Sequence, residues 1–220
     1  MIDTTRQSGI IPDDKVKSIS VAVIGVGAIG SHTVESLAKM GITDFRIFDD
    51  DTVEAHNLAN QGYFLPEIGY KKVEALANRI SIGTGASITA EACRVEDNHE
   101  FNERYVISAV DNMKSRKSIF ESYMNSFSSR FFLDGRMAAR FGQVFFVDKL
   151  KPESIERYEA SLFSDEEAVP LPCTEKATIF CAYGIASLMS SLIAKSIIEE
   201  PIKFISAEVD FANVLLTQAI

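Results

Sequence analysis

A glycine-rich turn set between an apolar run and a helical pattern constrains this chain more than any other feature. Residues 18–24 (SISVAVI) read as a buried strand, and residues 28–40 as a helix with Ile29, Val34, Leu37 and Ala38 on its inner face. Between them lies Gly25-Val26-Gly27-Ala28-Ile29-Gly30, a G-x-G-x-x-G run. Glycines there permit a tight turn and close backbone approach, while the helix start presents unpaired N–H groups to a phosphate. Asp49 ends the next strand pattern, 19 residues after Gly30, where an acid can accept a hydrogen bond from a ribose hydroxyl. Taken alone, this turn makes an NAD(P)-dependent oxidoreductase the default reading.

Strand and helix patterns go on alternating downstream, which predicts an α/β, Rossmann-like, mostly parallel sheet with crossover helices. The spacing predicts a helix over 66–82, a strand over 87–92, a strand over 105–110, a helix over 112–127 and a short strand over 130–133. Residues 141–148 (FGQVFFVD) alternate as an antiparallel strand does, and open a different C-terminal extension. There an acidic, proline-bearing crossover over 153–172 is expected to be exposed and mobile. A long helix over 174–198 follows, then strands near Phe204 and over 209–217. One domain over 1–220 is the economical count, with a nucleotide-binding part over about 17–134 and a C-terminal part over about 135–220.

Composition narrows the partners. The net charge of −9, with Lys and Arg scattered rather than clustered, argues against nucleic-acid binding. Three cysteines without a C-x-x-C pair fit a reducing cytoplasm and speak against a disulfide framework or a structural zinc. Residues 177–194 are 18 consecutive uncharged residues, but their serines and Gly184 favour a buried or interface helix over a membrane span.

The loop after the second strand separates adenylation from hydride transfer. Asp49-Asp50-Asp51-Thr52-Val53, then Asn57-Leu58-Ala59-Asn60-Gln61, resembles the D-x-D-x-V…N-L-x-R-Q run of the ThiF/MoeB/HesA family. Lys72, in Gly69-Tyr70-Lys71-Lys72-Val73, falls on that family's G-x-x-K-V lysine, and Asp111-Asn112 on its D-N pair. Arg6-Gln7 resembles the R-Q ahead of its first strand. The resemblance, over about residues 6–195, implies ATP-dependent adenylation of a C-terminal carboxylate, most plausibly that of a ubiquitin-like protein or peptide. It also implies a homodimer in which Arg6 reaches the neighbouring subunit's nucleotide.

The residue types suit that chemistry in their own right. Attack of a carboxylate on the α-phosphorus expels pyrophosphate and spreads negative charge over phosphate oxygens, so cations and a metal carry the catalysis. Lys72 and Arg6 supply positive charge, Asp111 is the expected Mg²⁺ ligand, Asp51 orients the phosphate or metal region, and Asn57 and Gln61 offer neutral hydrogen bonds. Taken singly, Lys72 reads as a solvated helix residue, Asp111 as a helix cap and Asn57 as a turn former.

Two departures from the family pattern stand out: Asn60 where it has arginine, and Thr4 where it has an aromatic residue. Arg116, Arg136 and Arg140 are candidate replacements for the lost arginine, Arg136 best placed among them. Cys173, in Leu171-Pro172-Cys173-Thr174 ahead of the long helix, resembles the family's acceptor cysteine. A helix start lowers a thiol's pKa, so Cys173 reads either as a nucleophile for a second half-reaction or as an unreactive exposed thiol. A non-catalytic nucleotide-binding scaffold is the third reading, motivated by Asn60.

Overall fold

The computed structural model describes residues 2–163, 177–203 and 206–219. A short helix α1 (Asp13–Val16) leads into β1 (Ser20–Ile24), α2 (Ala28–Lys39) and β2 (Asp44–Phe48). Then come α3 (Lys72–Thr84), β3 (Ser87–Glu91), β4 (Tyr105–Ser108), α4 (Met113–Asn125), and the paired β5 (Phe131–Ala138) and β6 (Phe141–Asp148). Helices α5 (Pro152–Ala160) and α6 (Ile179–Ile197) and strands β7 (Ser206–Asp210) and β8 (Leu215–Ala219) complete the order.

All eight strands lie in one sheet, ordered β3-β2-β1-β4-β5-β6-β7-β8. The first five are parallel to their neighbours and the last three antiparallel, matching the expected Rossmann-like sheet with an antiparallel extension. Strand order reverses between β1 and β4, whose register pairs Ile24 with Ser108. In open α/β sheets the crevice beyond the carboxyl ends of two such strands is where ligands bind. The glycine turn leaves β1 there, and the Asp111 loop leaves β4 beside it.

Both faces of β1 are covered, so it is apolar from Val21 to Ile24 rather than alternating. Val21 and Val23 join the core under α2, α3 and α6, whereas Ala22 and Ile24 join the core with Ile119, Phe120 and Tyr158 of α4 and α5. Helix α6 has the length and composition of a membrane span. In this fold Cys181, Ile185, Met189 and Ile193 are fully buried, packed against α2, β5 and β6.

Several elements differ from the sequence expectation, among them β5, which runs on to Ala138 instead of ending at 133. The helix predicted over 66–82 begins at Lys72, because residues 69–72 first pair with 51–53: Gly69 N–H donates to Val53 O at 2.9 Å, Val53 N–H to Tyr70 O at 2.9 Å and Lys72 N–H to Asp51 O at 3.0 Å. Gly69 sits at φ +93°, a left-handed turn that stops any helix from running through it. Of the crossover predicted to be exposed over 153–172, residues 164–172 lie outside the described residues, and the first part is helix α5, whose Tyr158 is wholly buried. Residues 206–219 form a hairpin, β7–β8, instead of one strand over 209–217, and the position of the strand expected near Phe204 lies outside the described residues.

Candidate nucleotide site

Two of the three glycines are fixed by the protein's own packing. Gly25 turns at φ +84°, and a Cβ there would lie 2.8 Å from the Ala109 carbonyl oxygen. A Cβ on Gly30 would lie 1.9 Å from the Gly25 carbonyl oxygen, inside contact distance. Gly27 differs. It caps α2, and an added Cβ would meet nothing within 4 Å. The open space there leaves room for a phosphate to approach the N–H groups of the helix start.

Asp49 braces this turn from the neighbouring strand. One carboxylate oxygen accepts from Val26 N–H and the other from Asp51 N–H, both at 2.9 Å. Burial raises its pKa, outweighing those N–H groups and the nearby Lys72 charge. Tyr63 adds a second brace that no motif signalled. Its buried hydroxyl donates to the Val26 carbonyl at 2.7 Å and lies 3.4 Å from the Lys72 carbonyl, tying the glycine turn to the start of α3. Burial holds that hydroxyl protonated far above the usual tyrosine range. Ser31 Oγ donates to Gly27 O at 2.6 Å and accepts from Gly62 N–H at 2.9 Å, joining the turn to the residue before Tyr63.

The 51–53/69–72 pairing places Lys72. It is not the solvated helix residue its isolated pattern suggests: its side chain is 6% exposed, and Nζ meets Asp51 Oδ2 at 2.7 Å. Asp51 itself is 61% exposed. A buried ammonium facing one solvated carboxylate is a poor device for stability and a good one for receiving an anion. Asn57 is buried, and its Oδ1 accepts from Glu54 N–H at 2.9 Å, so it does serve as a turn former. Gln61 Oε1 is buried and has no hydrogen-bond partner among the described residues.

Asp111 is exposed in the loop after β4 and accepts from the Asn112 amide at 3.2 Å. The cap of α4 is Asn112, whose Oδ1 accepts from Ser115 N–H at 2.8 Å, and this leaves the Asp111 carboxylate outside the capping role. Arg116 and Arg136 do not stand in for the arginine missing at Asn60. Both are engaged with the buried Asp134, and Arg136 also bonds Ser161. Arg140 is exposed at the β5–β6 turn.

Arg6 is exposed on a segment bound to the other end of α2, where Gln7 Nε2 donates to Lys39 O at 3.0 Å. The 12 residues of α2, at about 1.5 Å each, put it roughly 18 Å along the helix from the glycine turn. The fold therefore does not bring Arg6 to its own chain's glycine turn. Cys173 lies outside the described residues.

The donor set fits a nucleoside triphosphate with a divalent cation: an open helix start at Gly27, a buried ammonium, an orphaned amide oxygen and oxygen-only ligands. Besides Asp111, the side chains of Asp49, Asp50 and Asp51 offer one oxygen each, all within 4.8 Å of one another. Hard cations such as Mg²⁺ take oxygen ligands of this kind.

The chain resembles known proteins over most of its length. Residues 5–219 match the model of the ThiF family. Ubiquitin-like modifier-activating enzyme 5 of Gallus gallus is 32% identical over 133 residues, which cover 52% of this chain and 33% of that protein. Its Caenorhabditis elegans counterpart is 26% identical over 182 residues, 82% of this chain and 35% of that protein. The chain thus spans about a third of the length of these relatives. In structure, Escherichia coli MccB solved with ATP superposes with a TM-score of 0.72 over 94% of this chain and 64% of that one, at 17% identity. PaaA superposes with a TM-score of 0.73 over 99% of this chain and 68% of that one, at 15% identity. With the family pattern running almost end to end through the glycine turn, Lys72 and Asp111, the chain belongs to the ThiF family.

Proposed function

We propose that this protein uses ATP to adenylate a C-terminal carboxylate, releasing pyrophosphate. The observation that carries the reading is Lys72, a buried ammonium held at the mouth of an open phosphate turn. In the reaction, a carboxylate oxygen of the substrate forms a bond to the α-phosphorus as the bond to pyrophosphate breaks, leaving an acyl-adenylate. The α2 N–H groups receive phosphate oxygens, and Lys72 offsets the charge that grows on them. Asp111 is the residue that would hold Mg²⁺; bound Mg²⁺ supplies charge neutralisation at the triphosphate. Asn57 and Gln61, in the loop between β2 and α3, would offer neutral hydrogen bonds.

The substrate we favour is a ubiquitin-like protein or a peptide with a free C-terminus. Support comes from relatives named for ubiquitin-like modifiers and from MccB, which has been solved together with MccA. Arg6, exposed and remote from its own glycine turn, supports a homodimer in which it serves the partner subunit's nucleotide. Transfer of the acyl group to Cys173 is proposed on its sequence position alone. An NAD(P)-dependent oxidoreductase would leave the buried Lys72 without a task. Calorimetry with each nucleotide decides between the two: tight Mg²⁺-dependent ATP binding with weak NAD binding is expected, and tight NAD binding without ATP binding would refute adenylation.

A further inference from the structure

Asp134 is wholly buried midway along β5, where it pairs in register with Ser108 at the end of β4. Arg116 of α4 binds its Oδ1, Arg136 binds Oδ2 at 2.6 Å, and the Tyr158 hydroxyl donates to Oδ2 at 3.2 Å. Buried Asp134 and Arg116 and the half-buried Arg136 form one cluster. Such a cluster offers little stability over apolar packing of the same volume, because each ion must be stripped of water. Its geometry suggests another use. Beyond Asp134, the other arm of Arg116 donates to the Val110 carbonyl, the residue directly before Asp111. Arg116 also reaches the Gly135 carbonyl at 3.4 Å. A single guanidinium, aimed by Asp134, thereby ties the exposed Asp111 loop to the interior of the sheet.

We infer that Arg116, oriented by Asp134, is a positioning residue that fixes the Asp111 loop for the metal–nucleotide complex. The inference rests on the adenylation reading and deepens it. Arg136 takes the opposite side of the cluster: it binds Ser161 O and Oγ at 3.1 and 3.0 Å and lies over the Phe145 ring, making no bond to the Asp111 loop. The two arginines thus share an anion but not a task, and this asymmetry makes the inference testable.

Lysine at position 116 keeps a charge for Asp134 but has no second arm for Val110. ATP binding to the full chain is measured by calorimetry, with Mg²⁺ and with a chelator, for wild type, Arg116→Lys and Arg136→Lys, alongside thermal melts. Arg116→Lys is expected to lose about tenfold or more of the Mg²⁺-dependent gain in ATP affinity, the usual effect of removing a group that orients a metal ligand, while metal-free binding holds. Arg136→Lys should melt earlier yet keep the Mg²⁺ dependence. Should Arg116→Lys not fold, Asp134→Asn, which frees Arg116 without removing it, gives the same readout. Full Mg²⁺ dependence in the folded variant, or an equal loss in Arg136→Lys, overturns the inference while adenylation stands. No Mg²⁺-dependent ATP binding in the wild type overturns both.

Discussion

Replacing Gly30 and Gly27 by alanine separates what the glycine turn does for the fold from what it does for a ligand. At Gly30 the new Cβ would sit 1.9 Å from the Gly25 carbonyl oxygen, where real contacts stay beyond 3.0 Å. The turn must therefore open by about 1 Å against Ala109, whose Cβ lies 3.4 Å from the same point. Overpacking of this kind costs about 1–3 kcal/mol, and the rigid backbone neighbour puts Gly30→Ala at the upper end, about 3 kcal/mol. For a domain of this size that is a fall of roughly 6–12 °C in Tm. Gly27→Ala meets no protein atom within 4 Å, so its cost to the fold should be well below that of Gly30→Ala. Its methyl projects where a phosphate would lie, so ATP affinity should fall by about 100-fold, the 2–3 kcal/mol expected when close backbone approach is blocked. Thermal melts and calorimetry on both variants check this. A Gly27→Ala protein that binds ATP as the wild type does would refute the assignment of that turn to phosphate.

Two further outcomes follow from buried charge. Lys72→Met replaces a buried ammonium with an apolar chain of similar length and strips only a solvated Asp51 of its partner; stability should hold or rise by up to about 2 kcal/mol while pyrophosphate exchange falls at least about 100-fold, as denaturant melts and exchange assays would record. His32 is buried beside Tyr183, with ring centroids 4.2 Å apart, and burial lowers its pKa below 6.5. Below pH 6.5 the unfolded chain takes up a proton that the folded one refuses, so stability should drop as pH falls from there toward the folded value. His32→Phe should flatten that part of a pH series of denaturant melts, and an unchanged slope would contradict it.

Much of the site was readable because its signals are local. A strand, a G-x-G-x-x-G turn and a helix are written in consecutive residues, and the alternation of strands with helices points to the mostly parallel sheet. Asp111 could be placed at a strand end for the same reason. What sequence patterns could not reveal depends on contacts across the chain. The start of α3 was misplaced because its first residues pair with 51–53, and only that pairing buries Lys72. Tyr63 reaches Val26 across 37 positions, with no periodicity to announce it. Arg116 and Arg136 looked available to phosphate, since a sequence shows their charge but not the buried Asp134 that engages both. Arg6 carried a motif match, yet its distance from its own turn emerges only from the packing of the N-terminal segment on Lys39.

The central claim, adenylation of a terminal carboxylate, is tested most directly by exchange of labelled pyrophosphate into ATP. The assay is run with Mg²⁺ and a panel of ubiquitin-like proteins and peptides, each with a free and an amidated C-terminus. The account predicts exchange that depends on a free carboxylate, is lost on amidation, and disappears in Asp111→Ala without loss of the fold. Exchange that ignores amidation, or full exchange in folded Asp111→Ala, would contradict it.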